Sequence, residues 1–303
     1  MKRVVSVSLG AKSGDFVRET TLSGVGIQLS REGTDGDMER AAARIRALDG
    51  HVDAIGLGGI DIYLYVGGEQ LVIGDGLRLA ENARATPVVD GSGLKDTLER
   101  RVVEELARSG RVTPASRVLM VSALDRFGMA EAFVALGCKC VFGDLIFNIG
   151  LDYALASLAD IEDLARKYKK RLLTVPFHML YPTGAAQEAK EADARYAKYY
   201  HDADIIAGDA HLILKHLPER IDGKGIVTNT TRPRTIERLR AAGAGWIVTT
   251  TPQIEGVSGG TNLMEAALVA LIGKPKGEIT PADYAEWLDR LGWKGDLLDT
   301  EPA

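Results

Sequence analysis

The chain of 303 residues has only two cysteines, Cys138 and Cys140, one residue apart. Neighbours at that spacing on a strand point the same way and rarely bridge. A disulfide framework is therefore excluded, the thiols read as core residues, and a reducing, cytoplasmic compartment is expected. No apolar run reaches the roughly 18 residues that a membrane helix requires. The opening Met1-Lys2-Arg3-Val4-Val5-Ser6-Val7-Ser8-Leu9 is too short and too alternating for a signal peptide and reads as a first strand. Excess positive charge is missing too. The formal net charge is −5, which argues against nucleic acid as the main partner. Low-complexity tracts and long repeats are absent. What is present is ordinary: 46% hydrophobic and 26% charged residues, enough apolar material for two cores.

The pattern divides into an N-terminal α/β domain, 1–112, and a more regular domain, 113–303, joined near Thr113-Pro114. In the first, a polar stretch follows the opening strand. A helix is expected from Asp37 to Ala47 and a strand over Val52–Leu57. Gly67-Gly68 between Ile62–Val66 and Glu69–Ile73 marks a hairpin, because both turn positions need positive φ. Pro87-Val88-Val89-Asp90 leads through a Gly-Ser-Gly turn into a helix over Lys95–Ser109. In the second domain, apolar strands are predicted at Val118–Val121, Lys139–Phe142, Leu172–Val175, Asp204–Ala207, Gly225–Val227 and Trp246–Thr249, with helices between them. This alternation predicts a doubly wound, parallel, Rossmann-like sheet. Helices over Thr261–Ile272 and Ala282–Leu291 close the chain, the latter capped by Thr280 with Pro281 behind it.

In such a sheet, ligands bind beyond the carboxyl ends of the strands. The first turn reads Ser122-Ala123-Leu124-Asp125-Arg126-Phe127-Gly128, where a dinucleotide loop would have three glycines. Only Gly128 stands at a fingerprint position. Asp125 would repel a phosphate and Arg126 could offset it. Asp144 ends the next strand about 20 residues on, where an acid accepts from a ribose hydroxyl or caps a helix. Asp209 and His211 close a later strand, with His178 and Tyr181 as competitors for proton transfer. Asp209-x-His211 has no third partner at metal-ligand spacing, so no metal is predicted. Ser92 and Lys95 follow the glycine turn of the first domain, where backbone N–H groups can face an anion. Asn229, Thr250 and Asn262 lie at later strand ends or helix starts.

Phe142-Gly143-Asp144, Pro176-Phe177-His178, Leu180-Tyr181-Pro182-Thr183-Gly184, Ala207-Gly208-Asp209-Ala210-His211, Thr249-Thr250-Thr251-Pro252 and Gly260-Thr261-Asn262-Leu263-Met264-Glu265 together resemble bacterial proteins labelled quinate/shikimate 5-dehydrogenase. That resemblance spans nearly the whole chain and implies a two-domain oxidoreductase with nicotinamide at the cleft. The chain departs from true shikimate dehydrogenases in its glycine loop and in the segment bearing their catalytic Lys, for which Lys95 is the nearest positional substitute. The expectation is an NAD(P)-dependent dehydrogenase of a small hydroxylated or anionic substrate, with NAD favoured. Its catalytic groups would be Lys95, His211 and His178. Its cofactor would lie on Ser122, Ala123, Asp125, Arg126, Gly128, Asp144, Asp209, Asn229 and Thr250, and its substrate on Ser92, Tyr181 and Asn262. The alternatives are a methyltransferase using S-adenosylmethionine, which lacks a pyrophosphate and tolerates Asp125 better, and a non-catalytic nucleotide-binding protein. The expected partner is a small molecule, with a homodimer as the default assembly.

Overall fold

The computed structural model describes residues 1–175, 193–229, 231–254 and 257–298. In chain order the first part contains β1 (Lys2–Ser8), β2 (Phe16–Leu22), β3 (Val25–Gly33), α1 (Met38–Leu48), β4 (Ala54–Gly58), β5 (Tyr63–Val66), β6 (Glu69–Val72), α2 (Gly74–Ala80), β7 (Val88–Val89) and α3 (Ser92–Arg108). The second contains β8 (Arg117–Met120), α4 (Phe127–Ala135), β9 (Lys139–Phe142), α5 (Asp144–Ile149), α6 (Leu158–Thr174), α7 (Ala197–Asp202), β10 (Ile205–Gly208), α8 (Ala210–Lys215), β11 (Gly225–Thr228), α9 (Pro233–Ala241) and β12 (Trp246–Thr249). The short strands β13 (Gln253–Ile254) and β14 (Val257–Ser258) lead to α10 (Thr261–Ile272), α11 (Pro281–Leu291) and β15 (Asp296–Leu298).

The architecture is mixed α/β with two mostly parallel sheets. The first has five strands in the order β2-β3-β1-β4-β7, with β2 antiparallel at its edge. The second has six strands in the order β15-β12-β11-β10-β8-β9, with β15 antiparallel at its edge. Val4, Val5 and Val7 of β1 are buried on both faces, as a central parallel strand requires. Helix α10 comes late in the chain but packs across β1, β3 and β4 of the first sheet. Glycine makes this contact possible. A Cβ on Gly56 of β4 would stand 2.7 Å from the Asn262 carbonyl oxygen. On its other sides α10 meets α3 and α11, so almost every one of its residues is buried.

Local signals explain many boundaries. Asp37 caps α1 by accepting from the Arg40 N–H. Thr280 and Asp283 form a reciprocal capping box at α11. Gly67 and Gly68 turn the β5–β6 hairpin at φ 57° and 78°. Two differences from the sequence reading stand out. The polar stretch after β1 is the β2–β3 hairpin, turned at Ser23 and Gly24 with positive φ. Its exposed strand β2 alternates Phe-Val-Arg-Glu-Thr-Thr-Leu and lacks the apolar run of a buried strand. Leu172–Val175 is not a strand. The capping box of Ser157 and Asp160 starts α6, and Ile161, Ala165 and Leu172 continue its buried face through Thr174. A short, mostly apolar run does not by itself distinguish a strand from the end of a helix. The second sheet therefore lacks the predicted third strand. Among the described residues, no helix is long and apolar enough to cross a membrane.

Glu265 of α10 is buried and accepts a hydrogen bond from the Tyr284 hydroxyl of α11 at 2.6 Å. Burial, followed by repulsion from Asp90, raises its carboxyl to about 7. The fold therefore disfavours the ionised form. The contribution of Glu265 is most favourable below the ordinary carboxylate range and is lost as pH rises through 7. Glu265→Gln keeps an acceptor for Tyr284 and removes the charge. In urea titrations it should gain about 1–3 kcal/mol relative to the parent between acid and mildly alkaline pH. An offset independent of pH would show that Glu265 does not titrate in this range.

Candidate functional site

The carboxyl ends of β1, β4 and β7 face those of β8, β9, β10 and β11 across a cleft of about 820 Å³. Chain order reverses between β8 and β10, the place where an open parallel sheet collects its ligand-facing loops. At the centre is Lys95, in the first turn of α3. The residue before that helix, Gly91, has φ 101°, and a Cβ there would press within 3.0 Å of the Asn262 nitrogen. Only glycine combines this left-handed backbone with so close an approach to α10.

The Lys95 ammonium lies 2.6 Å from Asp61, beyond β4, and 2.5 Å from Asp125, beyond β8. Burial opposes its charge, but the two carboxylates more than offset this and keep Lys95 protonated. The carboxylates are unequal. Burial, then the charge of Asp125, pushes Asp61 above the usual carboxylate range. Burial acts on Asp125 as well, but Lys95 and Arg126 outweigh it and hold Asp125 below that range. The cluster thus pairs one firm anion with one carboxyl that takes up a proton readily.

Behind it lies a second ion pair. Arg126 and Glu99 are each 1% exposed and hydrogen-bonded to one another. Burial raises Glu99 to about 7, and among the described residues its Oε2 has no partner. Arg126 is also 3.5 Å from Asp209. Asp209 caps α8 by accepting from the His211 N–H at 2.9 Å, and receives the Asn229 side-chain amide at 3.2 Å. Its own N–H donates to the Ser122 hydroxyl at 3.1 Å.

The residues singled out from sequence are distributed unevenly. Lys95, Ser122, Asp125, Asp209, His211, Asn229 and Asn262 line the cleft. Asn262 donates to the Ser6 hydroxyl at 2.6 Å. Asp144 also reaches the cleft wall, but its two oxygens accept the N–H groups of Ala123 and Leu124 at 3.1 and 2.8 Å. Burial raises it to about 6. Ala123 and Thr250 are fully buried, the latter 3.4 Å from Glu99. Gly128 packs α4 on α3, its Cβ position 3.1 Å from the Asp96 backbone. Ser92 turns away to donate to Asp90 at 2.7 Å. His178 and Tyr181 lie outside the described residues. Sequence reasoning singled out neither Arg31 nor Asn148 and gave Asp61 no role of its own. Asp61 follows the Gly58-Gly59 strand end, a readable signal, whereas nothing local marks the other two. Cys138 is buried and Cys140 half-buried, both with free thiols. Among the described residues, no three metal-ligating side chains gather.

These features define a two-lobed α/β protein with a charged cleft between parallel sheet edges. The chain belongs to the family described as a domain of unknown function (DUF8754), which matches residues 93–300. Residues 3–90 match a second domain of unknown function (DUF8753). No curated protein matches. Among solved structures, a galactofuranose binding protein is 13% identical, with 96% of this chain and 99% of that one covered and a TM-score of 0.37. A protein from Mycobacterium smegmatis in complex with β-D-fucofuranose is 14% identical, with 96% and 98% covered and a TM-score of 0.36. The periplasmic binding protein component of the arabinose ABC transporter from Shewanella sp. ANA-3, bound to α- and β-L-arabinofuranose, is 11% identical, with 95% of each chain covered and a TM-score of 0.35. At these scores the likeness carries no argument about what this chain binds.

The resemblance to quinate/shikimate dehydrogenases is corrected by these findings. The families that match the chain are described as domains of unknown function, with no dehydrogenase activity assigned to them. The site supplies the physical reason to withdraw the NAD(P)-dependent dehydrogenase, the S-adenosylmethionine methyltransferase and the nucleotide-binding protein alike. Asp144, expected to hold a ribose, is occupied by the turn it supports. Arg126, expected to meet a phosphate, is buried on Glu99, and Asp125 puts a negative charge where pyrophosphate would pass.

Arg126→Met leaves Glu99 buried without its counter-charge. It should cost about 3–5 kcal/mol in chemical unfolding. The double variant Glu99→Leu/Arg126→Met should recover most of that loss, because neither charge then remains desolvated. Additive losses in the double variant would count against the pair as a unit.

Proposed function

We propose that this protein binds a small polyhydroxylated ligand, of the size of a monosaccharide, in the cleft between its lobes. The observation that carries this reading is the Asp61–Lys95–Asp125 cluster in the cleft, with the amides of Asn148, Asn229 and Asn262 on the lining. Carboxylates accept from adjacent hydroxyls, while the ammonium and amides donate to hydroxyl oxygens. A sugar, every face of which offers both roles, suits such alternation. The volume of about 820 Å³ is in the range of small-molecule sites. Tyr168 adds an aromatic face to the lining. A ligand touching Asp61 and Asp125 would join both lobes and favour their closed arrangement.

Within this reading, Lys95, Ser122, Asp125, Asn229 and Asn262 keep a binding role without catalysis, and the second lobe is a Rossmann-like variant whose parallel strands run 2-1-3-4-5. The expected homodimer finds no support.

The test is calorimetric titration of a panel of neutral pentoses, hexoses and linear polyols. At least one should bind. Asp125→Asn should weaken that ligand about ten- to hundredfold, the range for a hydrogen bond to a charged group, with Asn229→Ala as a second variant. If no member of the panel binds, or if both variants bind as the parent does, the reading is wrong.

A further inference from the structure

The mouth of the cleft carries positive charge that the Lys95 cluster does not use. Arg31 reaches it from β3 in the first lobe, and Arg232 from the start of α9 in the second; both line the cleft. Their guanidinium groups converge on Gly14. A Cβ there would lie 3.0 Å from Arg31 Nη1 and 2.7 Å from Arg232 Nη2. The two nitrogens are therefore no further apart than those distances together allow. Like charges so close repel unless something negative lies between or beside them. Arg31 has part of its compensation. It donates to Asp15 at 2.9 Å, to the Ala11 carbonyl at 3.0 Å and to the Ser8 hydroxyl at 3.1 Å. The Arg232 guanidinium has no hydrogen bond or ion pair among the described residues. Burial, and after it the charge of Arg232, lowers the Arg31 pKa.

A further donor set lies alongside. Arg232 is the N-cap of the nine-residue α9 and gives that helix no side-chain cap. Pro233 takes the first helical position and has no N–H, and the Thr235 N–H donates to the Arg232 carbonyl at 2.9 Å, which leaves the Arg234 N–H as the donor of this turn without an intrahelical partner. Thr235 of the same turn lines the cleft. Glycine at position 14 keeps the space between the guanidinium groups open, since any side chain would occupy it.

We propose that Arg31 and Arg232 form an oxyanion subsite at the cleft mouth, so that the polyol bound here carries a phosphate or a carboxylate. This deepens the polyol reading and rests on it. Planar guanidinium groups suit either anion, and an anion between them would tie the lobes together at a second point, apart from Lys95.

The experiment is calorimetric titration of the full chain with ribose and ribose 5-phosphate, glucose and glucuronate, and inorganic phosphate alone, at low and at high salt. At least one anionic sugar should bind tenfold or more tightly than its neutral parent. Raised salt should erode the difference, and Arg232→Gln should abolish it. Preference for ribose 5-phosphate identifies a phosphate ligand, and preference for glucuronate a carboxylate. Equal affinity for neutral and anionic sugars overturns the subsite and leaves the polyol reading standing. Binding of inorganic phosphate that Arg232→Gln removes, without binding of any sugar, supports the subsite and overturns the polyol reading. Absence of all binding overturns both. Arg232 is exposed, and equal melting temperatures for parent and variant would separate lost binding from lost folding.

Discussion

The organisation of the cleft depends on one ammonium group. Lys95 is held between a carboxylate from each lobe, Asp61 beyond β4 and Asp125 beyond β8. Two carboxylates so placed would repel one another and draw the surrounding loops apart. The lysine converts that repulsion into a bridge. Its cost is desolvation, which is offset only because two negative charges are present. Asp61 and Asp125 share one cation but not its benefit. Asp125 is also reached by the charge of Arg126, and so remains the firmer anion.

The scaffold keeps Lys95 in place through helices that serve both lobes. Helix α3 carries the lysine and packs on α4 of the second lobe, on α11 and on α10. Helix α10, late in sequence, completes the core of the first sheet. The chain therefore crosses between lobes more than once, and neither lobe's core is built from one continuous segment. Glycines at 56 and 91 are needed here because backbone, and not side chain, forms the contacts. The Glu99–Arg126 pair beneath the cleft extends the same arrangement inward. A charge at the surface of the site is supported by a neutralised pair below it, at the expense of one carboxylate oxygen without a partner among the described residues.

Local signals were legible where they act locally. The Gly67-Gly68 hairpin, the Asp37 and Thr280 caps and the span of α10 follow from residues within a few positions of one another. Periodicity failed at Leu172–Val175, a mostly apolar segment that is the last turn and C-cap of a helix begun fourteen positions earlier at Leu158. It failed at β2 as well, because an exposed edge strand has no apolar run to announce it. The concentration of polar residues at strand ends was readable, and it led to Lys95, Asp125, Asp209 and Asn229. Their chemistry was not readable. Asp144 stands where a ribose-binding acid would, yet its lone pairs serve the Ala123 and Leu124 amides. Arg126 stands in a turn where a phosphate contact was expected, yet its guanidinium is buried against Glu99.

Sequence alone determined the α/β class, the limits of α1, α10 and α11 and the set of polar residues at the strand ends, since these rest on propensity, capping and spacing along the chain. Tertiary structure alone decided which of those polar groups remain available to a ligand. A carboxylate is the same residue in sequence whether its partner is a backbone amide, a buried arginine or open cleft. The partners of Lys95 lie 34 and 30 positions away, and Arg31 and Arg232 come from different lobes. Such pairings are set by how the two sheets face one another, a relation that no local pattern encodes.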